Sequence, residues 1–377
     1  MINRLFILIL LLCLFNPAAQ AQILKWAKER VVRFLADSTE PGQPQFIAYP
    51  TIAYAPETGL EIGISSLYLY NARKDTSNRL SEIAAFTFVT LESQYGLWLD
   101  HALYTHQNNW FLLGRLRFQR FPLLYYGIGP DTPADYQAVV DANAVLLRER
   151  LLKKVKGSFY AGIEVDFQQL SGVSFERNPE FMHEPNPIGS EGSRNIGLGL
   201  GLVYDNRHNV LNVRNGFFAE TGFLRYNRAW GSEYNFTGFF LDSRYFHPVA
   251  RKQVLAAQLY GLFNSGNVPF NQMALLGGES VMRGYYTGRY RDKNYIASQV
   301  EYRWLPFPFS KRFGGTLFMS AGNVAPHINE FTLKNIKVAG GGGLRFLLFP
   351  KKDVFTRLDF AFSKESTGFY IFIGEAF

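Results

Sequence analysis

From Gln45 to Phe377 the chain alternates apolar and polar residues with a period of two. In 195–205, Ile196, Leu198, Leu200, Leu202 and Tyr204 form one set, and Asn195, Gly197, Gly199, Gly201 and Asp205 the other. In 110–120, Trp110, Leu112, Leu116 and Phe118 alternate with Arg115, Arg117 and Gln119. In 159–168, Phe159, Ile163, Val165 and Phe167 alternate with Tyr160, Glu164, Asp166 and Gln168. Successive side chains of a strand point to opposite faces, so each segment predicts a β-strand with one apolar face and one charged or glycine face. Sixteen such segments fit between 45–55 and 368–377. Ahead of them the period is 3.6. Leu24, Ala27, Val31, Phe34 and Leu35 share one face of a short amphipathic helix over 23–36, and Pro41-Gly42-Gln43-Pro44 links it to the first strand.

A soluble sandwich and a transmembrane barrel both produce this alternation, the first with its apolar face on a core, the second with it on lipid. Segment length separates them. Many segments run to about 10–14 residues, beyond the usual five or six of soluble strands and suited to tilted strands crossing a bilayer. Aromatic residues gather at segment ends (Tyr68 and Tyr70, Tyr125 and Tyr126, Tyr302 and Trp304), where a barrel carries its interfacial girdles. The expected fold is all-β, a 16-stranded antiparallel transmembrane β-barrel with a short N-terminal amphipathic helix. An even strand number returns both ends to one side, periplasmic in an outer membrane, with short turns there and long loops outside. Tight connections at 56–58 and 350–352 and long ones at 171–193 and 264–293 are read in that sense.

The N-terminus supports export. Asn3-Arg4 forms a basic start, Leu5 to Phe15 an apolar stretch that Asn16-Pro17 ends, and Ala19-Gln20-Ala21 a small-x-small cleavage site before Gln22. The domain reading is therefore a signal peptide over 1–21, a periplasmic helix and linker over 22–44, and a barrel over 45–377. The one cysteine, Cys13, lies in the apolar stretch behind Leu12, which does not suit a lipidation site. Cleavage leaves a chain without cysteine, so disulfide and thiol chemistry are excluded. After the first 15 residues no apolar run reaches the roughly 18 residues of a membrane helix. An aromatic share of 16% argues against disorder. The basic excess, 38 Lys+Arg against 31 Asp+Glu after Gln22, reads as charges scattered over loops and lumen; with no dense basic run, nucleic acid is not an expected partner.

Enzyme signatures are lacking, and no metal or cofactor is expected. The six histidines, His101, His106, His183, His208, His247 and His327, show no metal-ligand spacing, and Gly63-Ile64-Ser65-Ser66-Leu67 falls short of a nucleophile elbow. A hydrolytic pair assembled across strands stays open. Gly340–Gly343 precedes strand sequence rather than a helix, so these glycines read as relief where something presses on the inner wall.

One constellation stands out in the longest loop: Leu275-Leu276-Gly277-Gly278-Glu279-Ser280-Val281-Met282-Arg283-Gly284-Tyr285, followed by the strand Ile296-Ala297-Ser298-Gln299-Val300-Glu301-Tyr302-Arg303. It resembles the BamA/TamA family of outer-membrane barrels, the bacterial surface antigen family, whose loop between strands eleven and twelve carries a Gly-Gly-x-x-x-Val-Arg-Gly-Tyr/Phe tip. Tyr204-Asp205-Asn206-Arg207 before Asn215-Gly216, and Gly341, Gly343 and Arg345 before Arg357-Leu358-Asp359, are similar to two further family blocks. The likeness is specific over 194–377. It implies an internal latch in which Gly277, Gly278, Met282, Arg283, Gly284 and Tyr285 enter the lumen and Arg283 pairs with carboxylates on strands twelve and thirteen.

By parity Glu301 points inward and fits the first of these positions; Asp359 and Arg357 also point inward. On strand thirteen, where the family has Phe-x-Asp, this chain has Phe318-Met319-Ser320, one wall carboxylate fewer, and Asp359 is the candidate replacement. The other reading of Arg283 is an arginine solvated in a channel loop. Gln22 to Pro44 is too short for the periplasmic POTRA domains of the family's insertases. Gly374 and Phe377 are assigned to the closing strand at the seam, with Glu375 standing where an apolar residue is usual.

The resemblance implies assistance in inserting or translocating proteins at the outer membrane through a weak seam between the first and last strands. The expected partners are outer-membrane lipid and lipopolysaccharide, client outer-membrane proteins, and a separate periplasmic or lipoprotein partner. The alternative is a channel or small-molecule transporter on the same barrel, lined by Arg115, Arg117, Glu164 and Arg345. A structural or adhesive surface protein is a third reading.

Overall fold

The computed structural model describes residues 42–377 apart from 56–58, 92, 121, 136, 180–184, 208, 211 and 351–352. The expected signal peptide and the 23–36 helix lie outside the described residues. Among those described, no helix is long and apolar enough to cross a membrane.

The strands are β1 (Gln45–Ala55), β2 (Gly59–Asn71), β3 (Leu80–Thr90), β4 (Tyr95–Tyr104), β5 (Trp110–Arg120), β6 (Leu123–Tyr125) and β7 (Ala138–Lys156). They continue with β8 (Phe159–Arg177), β9 (Ser193–Asp205), β10 (Gly216–Tyr226), β11 (Phe236–Ala250), β12 (Gln253–Gly266), β13 (Ala274–Leu276) and β14 (Tyr290–Asp292). The last are β15 (Asn294–Trp304), β16 (Phe313–Ala325), β17 (Lys337–Phe349), β18 (Val354–Ser363) and β19 (Thr367–Ile373).

Seventeen of these form one antiparallel sheet. Each strand pairs with its neighbour in sequence with two exceptions: β5 skips β6 to pair with β7, and β12 pairs with β15 and leaves β13 and β14 as a separate two-stranded piece. The count differs from the expected sixteen because β5 and β6 both pair with β7. Pro122 stands between them, and a proline has no N–H to give the ladder. Among the described residues, β1 and β19 share no pairing, so the sheet is not closed there.

Burial is inside-out. Leu200, Ile163, Ile64 and Met319 are more than half exposed, whereas Arg283, Arg303 and Arg345 are among the largest fully buried side chains. Outward apolar residues around a polar interior are what a barrel in lipid requires, since charges are tolerated only in a lumen. Strand alternation also sorts the connections. The loops 178–192 and 267–293 lie at one end and the turns 157–158, 251–252 and 350–353 at the other. The connection 56–58, read as a tight turn, lies outside the described residues. A polar cavity of about 750 Å³ remains in the lumen, with Asp100, Arg115, Arg148, Glu220, Asp242 and Arg244 on its wall.

Candidate functional site: the lumenal latch

The 267–293 connection folds into the barrel. β13 and β14 pair over three residues each, and Ala274, Leu276, Met282, Tyr285 and Tyr290 pack with the wall residues Tyr295, Ala297, Val324 and Ala339 in one apolar cluster. Gly277 turns the chain at φ 111°, where an added Cβ would lie 2.2 Å from the Tyr286 carbonyl oxygen. Gly278 is likewise left-handed, at φ 133°. Burial pushes the Tyr285 and Tyr290 hydroxyls above the usual tyrosine range, so both act as neutral donors. Tyr285 donates to the Val338 carbonyl at 3.4 Å and Tyr290 to Glu365.

At the tip, Arg283 is fully buried. Its Nη1 lies 2.6 Å from Asp359 Oδ2 and its Nη2 bonds Glu301. Its guanidinium carbon stands 3.6 Å from the centroid of the Phe318 ring. A desolvated guanidinium on an aromatic face is worth about 2 kcal/mol.

The two carboxylates extend the network. Glu301 Oε2 accepts from Arg303 Nε at 2.6 Å. Asp359 accepts from Arg345 Nη1 at 2.6 Å and from Arg357 Nη1 at 2.9 Å. Glu375 accepts from Arg345 Nε at 2.9 Å, and Arg303 Nη2 donates to the Phe377 carbonyl at 3.2 Å. Arg283 from the loop and three arginines of the wall thus face three side-chain carboxylates. The glycine run makes room for them: a Cβ at Gly341 would sit 2.7 Å from the Phe318 ring, and one at Gly343 2.1 Å from Asp359 Oδ1.

The backbone of the tip is held as well. Arg357 Nη2 donates to the Glu279 carbonyl at 3.1 Å and Gln299 Nε2 to the Ser280 carbonyl at 2.7 Å. The Gly284 N–H donates to the Tyr370 hydroxyl at 3.0 Å, and Ser363 Oγ donates to the Gly284 carbonyl at 3.1 Å. Gly284 has φ 105°, and a Cβ there would meet the Phe362 backbone at 3.2 Å. Gly284→Ala is therefore expected to destabilise the fold by about 1–3 kcal/mol. A urea midpoint unchanged from wild type would show that the tip is not held against β18.

Of the residues singled out in sequence, Glu301, Phe318 and Asp359 touch Arg283, and Arg345 reaches it through Asp359. Ser320 does not join; its Oγ donates to the Ala339 carbonyl at 3.3 Å. Gly374 and Phe377 lie beyond β19, which ends at Ile373, and not in the closing strand. Gly374 has φ 93°. Phe377 turns inward to pack with Val213, Phe246, Val254 and Ala256. Glu375 had no site role from sequence, Arg303 carried only the parity signal, and Arg357 carried parity and its place in a family block. The Tyr204–Arg207 block forms a second cluster at the short-turn end, where Asp205 takes Arg79 Nη1 at 2.7 Å and Arg207 Nε at 2.9 Å.

The family model for the Omp85 superfamily domain matches residues 140–377. No curated protein matches the chain. Among solved structures, BamA from Haemophilus ducreyi lacking POTRA domains 1–3 aligns at 14% identity and TM-score 0.53, over 93% of this chain and 77% of that one. CdiB from Acinetobacter baumannii aligns at 12% identity and TM-score 0.57, over 87% of this chain and 59% of that one. CdiB from Escherichia coli aligns at 10% identity and TM-score 0.53, over 89% and 62%. The chain thus spans about three fifths of the two CdiB chains, and at these identities the likeness is one of fold.

Proposed function

Because the chain belongs to the Omp85 superfamily of outer-membrane β-barrels, we propose that it is a non-enzymatic barrel that assists the insertion or translocation of other proteins at the outer membrane. The observation that carries this reading is the seam. β1 and β19 share no pairing among the described residues, so each presents an unsatisfied strand edge. Such an edge can pair with an incoming strand by β-augmentation. The latch supports the same reading, since its tip is tied to β18 and β19 through Asp359, Ser363 and Tyr370. Partners of the expected kinds are client outer-membrane proteins and a separate periplasmic or lipoprotein component.

A second reading, a channel, is favoured by the polar lumenal cavity beside the latch. Quantitative outer-membrane proteomics separates the two, on a strain lacking the chain and complemented with wild type or with Arg283→Ala. The assembly reading expects a defined set of other barrels or secreted proteins to fall and to be restored by wild type alone. An unchanged proteome together with steady single-channel conductance of the purified protein would replace it with the channel.

A further inference from the structure

The basic excess that looks scattered along the sequence is gathered at one end of the barrel. Among the described residues, connections at the short-turn end carry nine Lys and Arg and two Asp. Those at the long-loop end, apart from 267–293 which folds into the lumen, carry three Lys and Arg and six Asp and Glu among the described residues. The few carboxylates at the short-turn end are already engaged. Asp353 takes Arg214 at 2.6 and 2.7 Å, Asp205 takes Arg79 and Arg207, and Asp75 accepts the Ser77 N–H at 2.9 Å. Arg73, Lys74, Arg251 and Lys311 are exposed there and pair with no carboxylate among the described residues, nor do Lys153 and Lys156 at the end of β7.

A second feature marks the same level. Exposed, outward aromatic side chains stand at the short-turn ends of strands around the sheet: Phe46, Tyr68, Trp110, Tyr204, Tyr245 and Phe313. Lys153 Nζ lies 5.7 Å from the centroid of the Trp110 ring. An aromatic belt sits at the headgroup level of a bilayer, and lysines beside it reach outward to the phosphates.

We propose that this rim is a docking ring for the headgroups of anionic phospholipids. The unpaired cations stand at four separate places around this rim, at 73–74, 153–156, 251 and 311, and not on one side of it. That arrangement matches an annulus of lipid, whereas a protein partner would favour a patch on one side. Each cation near an anionic membrane surface adds about 1 kcal/mol of attraction, and that attraction is screened by salt. The inference rests on the membrane placement read above, with the short turns on the periplasmic surface.

The test uses the purified full-length protein in mixed phosphatidylcholine and phosphatidylglycerol vesicles. The protein is extracted with its bound lipid and the two lipids are quantified. Phosphatidylglycerol is expected to be enriched, and the enrichment to fall about tenfold or more in raised salt and in the combined variant Lys153→Gln, Lys156→Gln, Arg251→Gln and Lys311→Gln. Heat-modified mobility in phosphatidylcholine alone checks that this variant folds. Equal retention of the two lipids, or an enrichment that the variant keeps, would overturn the proposal. So would an acidic protein that co-purifies with wild type but not the variant while no lipid preference is seen. A Lys311→Cys variant tests the placement separately: an impermeant maleimide is expected to label it only once the outer membrane is permeabilised. Labelling of intact cells would put the rim outside and overturn the placement itself, whatever the lipid result.

Discussion

Asp359→Ala is expected to lower the free energy of unfolding by about 3–5 kcal/mol, and to do more damage than Arg283→Ala. Asp359 accepts from three buried guanidinium groups, those of Arg283, Arg345 and Arg357, at 2.6, 2.6 and 2.9 Å. Without it, Arg357 keeps no carboxylate partner among the described residues, and Arg283 and Arg345 are left to share Glu301 and Glu375 with Arg303. Removing Arg283 works the other way. It takes away one cation, and the carboxylates it leaves are still paired, Glu301 with Arg303 and Asp359 with Arg345 and Arg357.

The order of the two effects follows from charge balance and can be read from urea midpoints of the folded band in detergent or vesicles. Asp359→Asn keeps the volume and loses the charge, so it should behave close to the alanine variant. A wild-type midpoint for Asp359→Asn would mean that packing and not charge holds the site. The double variant Arg283→Ala with Asp359→Ala should cost less than the sum of its parts, by about 0.5–3 kcal/mol, because the two side chains share one contact.

Much of this site was legible before any coordinates, for a simple reason. A strand has a period of two, so one known inward residue assigns all the others on that strand. The inward orientation of Glu301, Arg303, Arg357 and Asp359 followed from parity, whereas a partnership with Arg283 was implied only by the family resemblance; all four are buried in the lumen wall. The loop tip was legible because the run Gly-Gly-Glu-Ser-Val-Met-Arg-Gly-Tyr resembles the family's tip and is continuous in sequence. What sequence did not reveal depends on distances between strands or on breaks in the period. Ser320 faces inward but bonds the backbone of β17, while Phe318 gives Arg283 its ring rather than a carboxylate. Pro122 divides what reads as one strand into β5 and β6. Glu375 follows Gly374 at positive φ, where alternation no longer assigns a face. The gathering of basic charge at one rim emerges only when alternation sorts the connections by end.

Phe377→Ala is expected to cost about 3–5 kcal/mol, as truncation of a buried phenylalanine does, and to loosen the 267–293 loop as well as the last strand. The ring is nearly buried against Phe246 and Val254 and lies 4.7 Å from the Arg303 guanidinium. Two routes of buried charge lead from here to the loop tip. One runs from the Phe377 carbonyl through Arg303 and Glu301 to Arg283, and the other from Glu375 through Arg345 and Asp359 to Arg283. Among the described residues β19 has a ladder with β18 alone, and residues 374–377 and the loop tip tie this edge to the inside of the barrel.

Limited proteolysis should therefore cut faster within 267–293 in Phe377→Ala and in Glu375→Ala, with cleavage of 178–192 unchanged. A variant that unfolds more easily while 267–293 stays protected would show that the two elements are held separately. If the loop does loosen, seam and latch are linked by a coupling free energy that acts in both directions. A ligand or client that draws residues 374–377 from the lumen would then weaken the hold on Arg283, and withdrawal of the loop would ease the opening of the β19 edge.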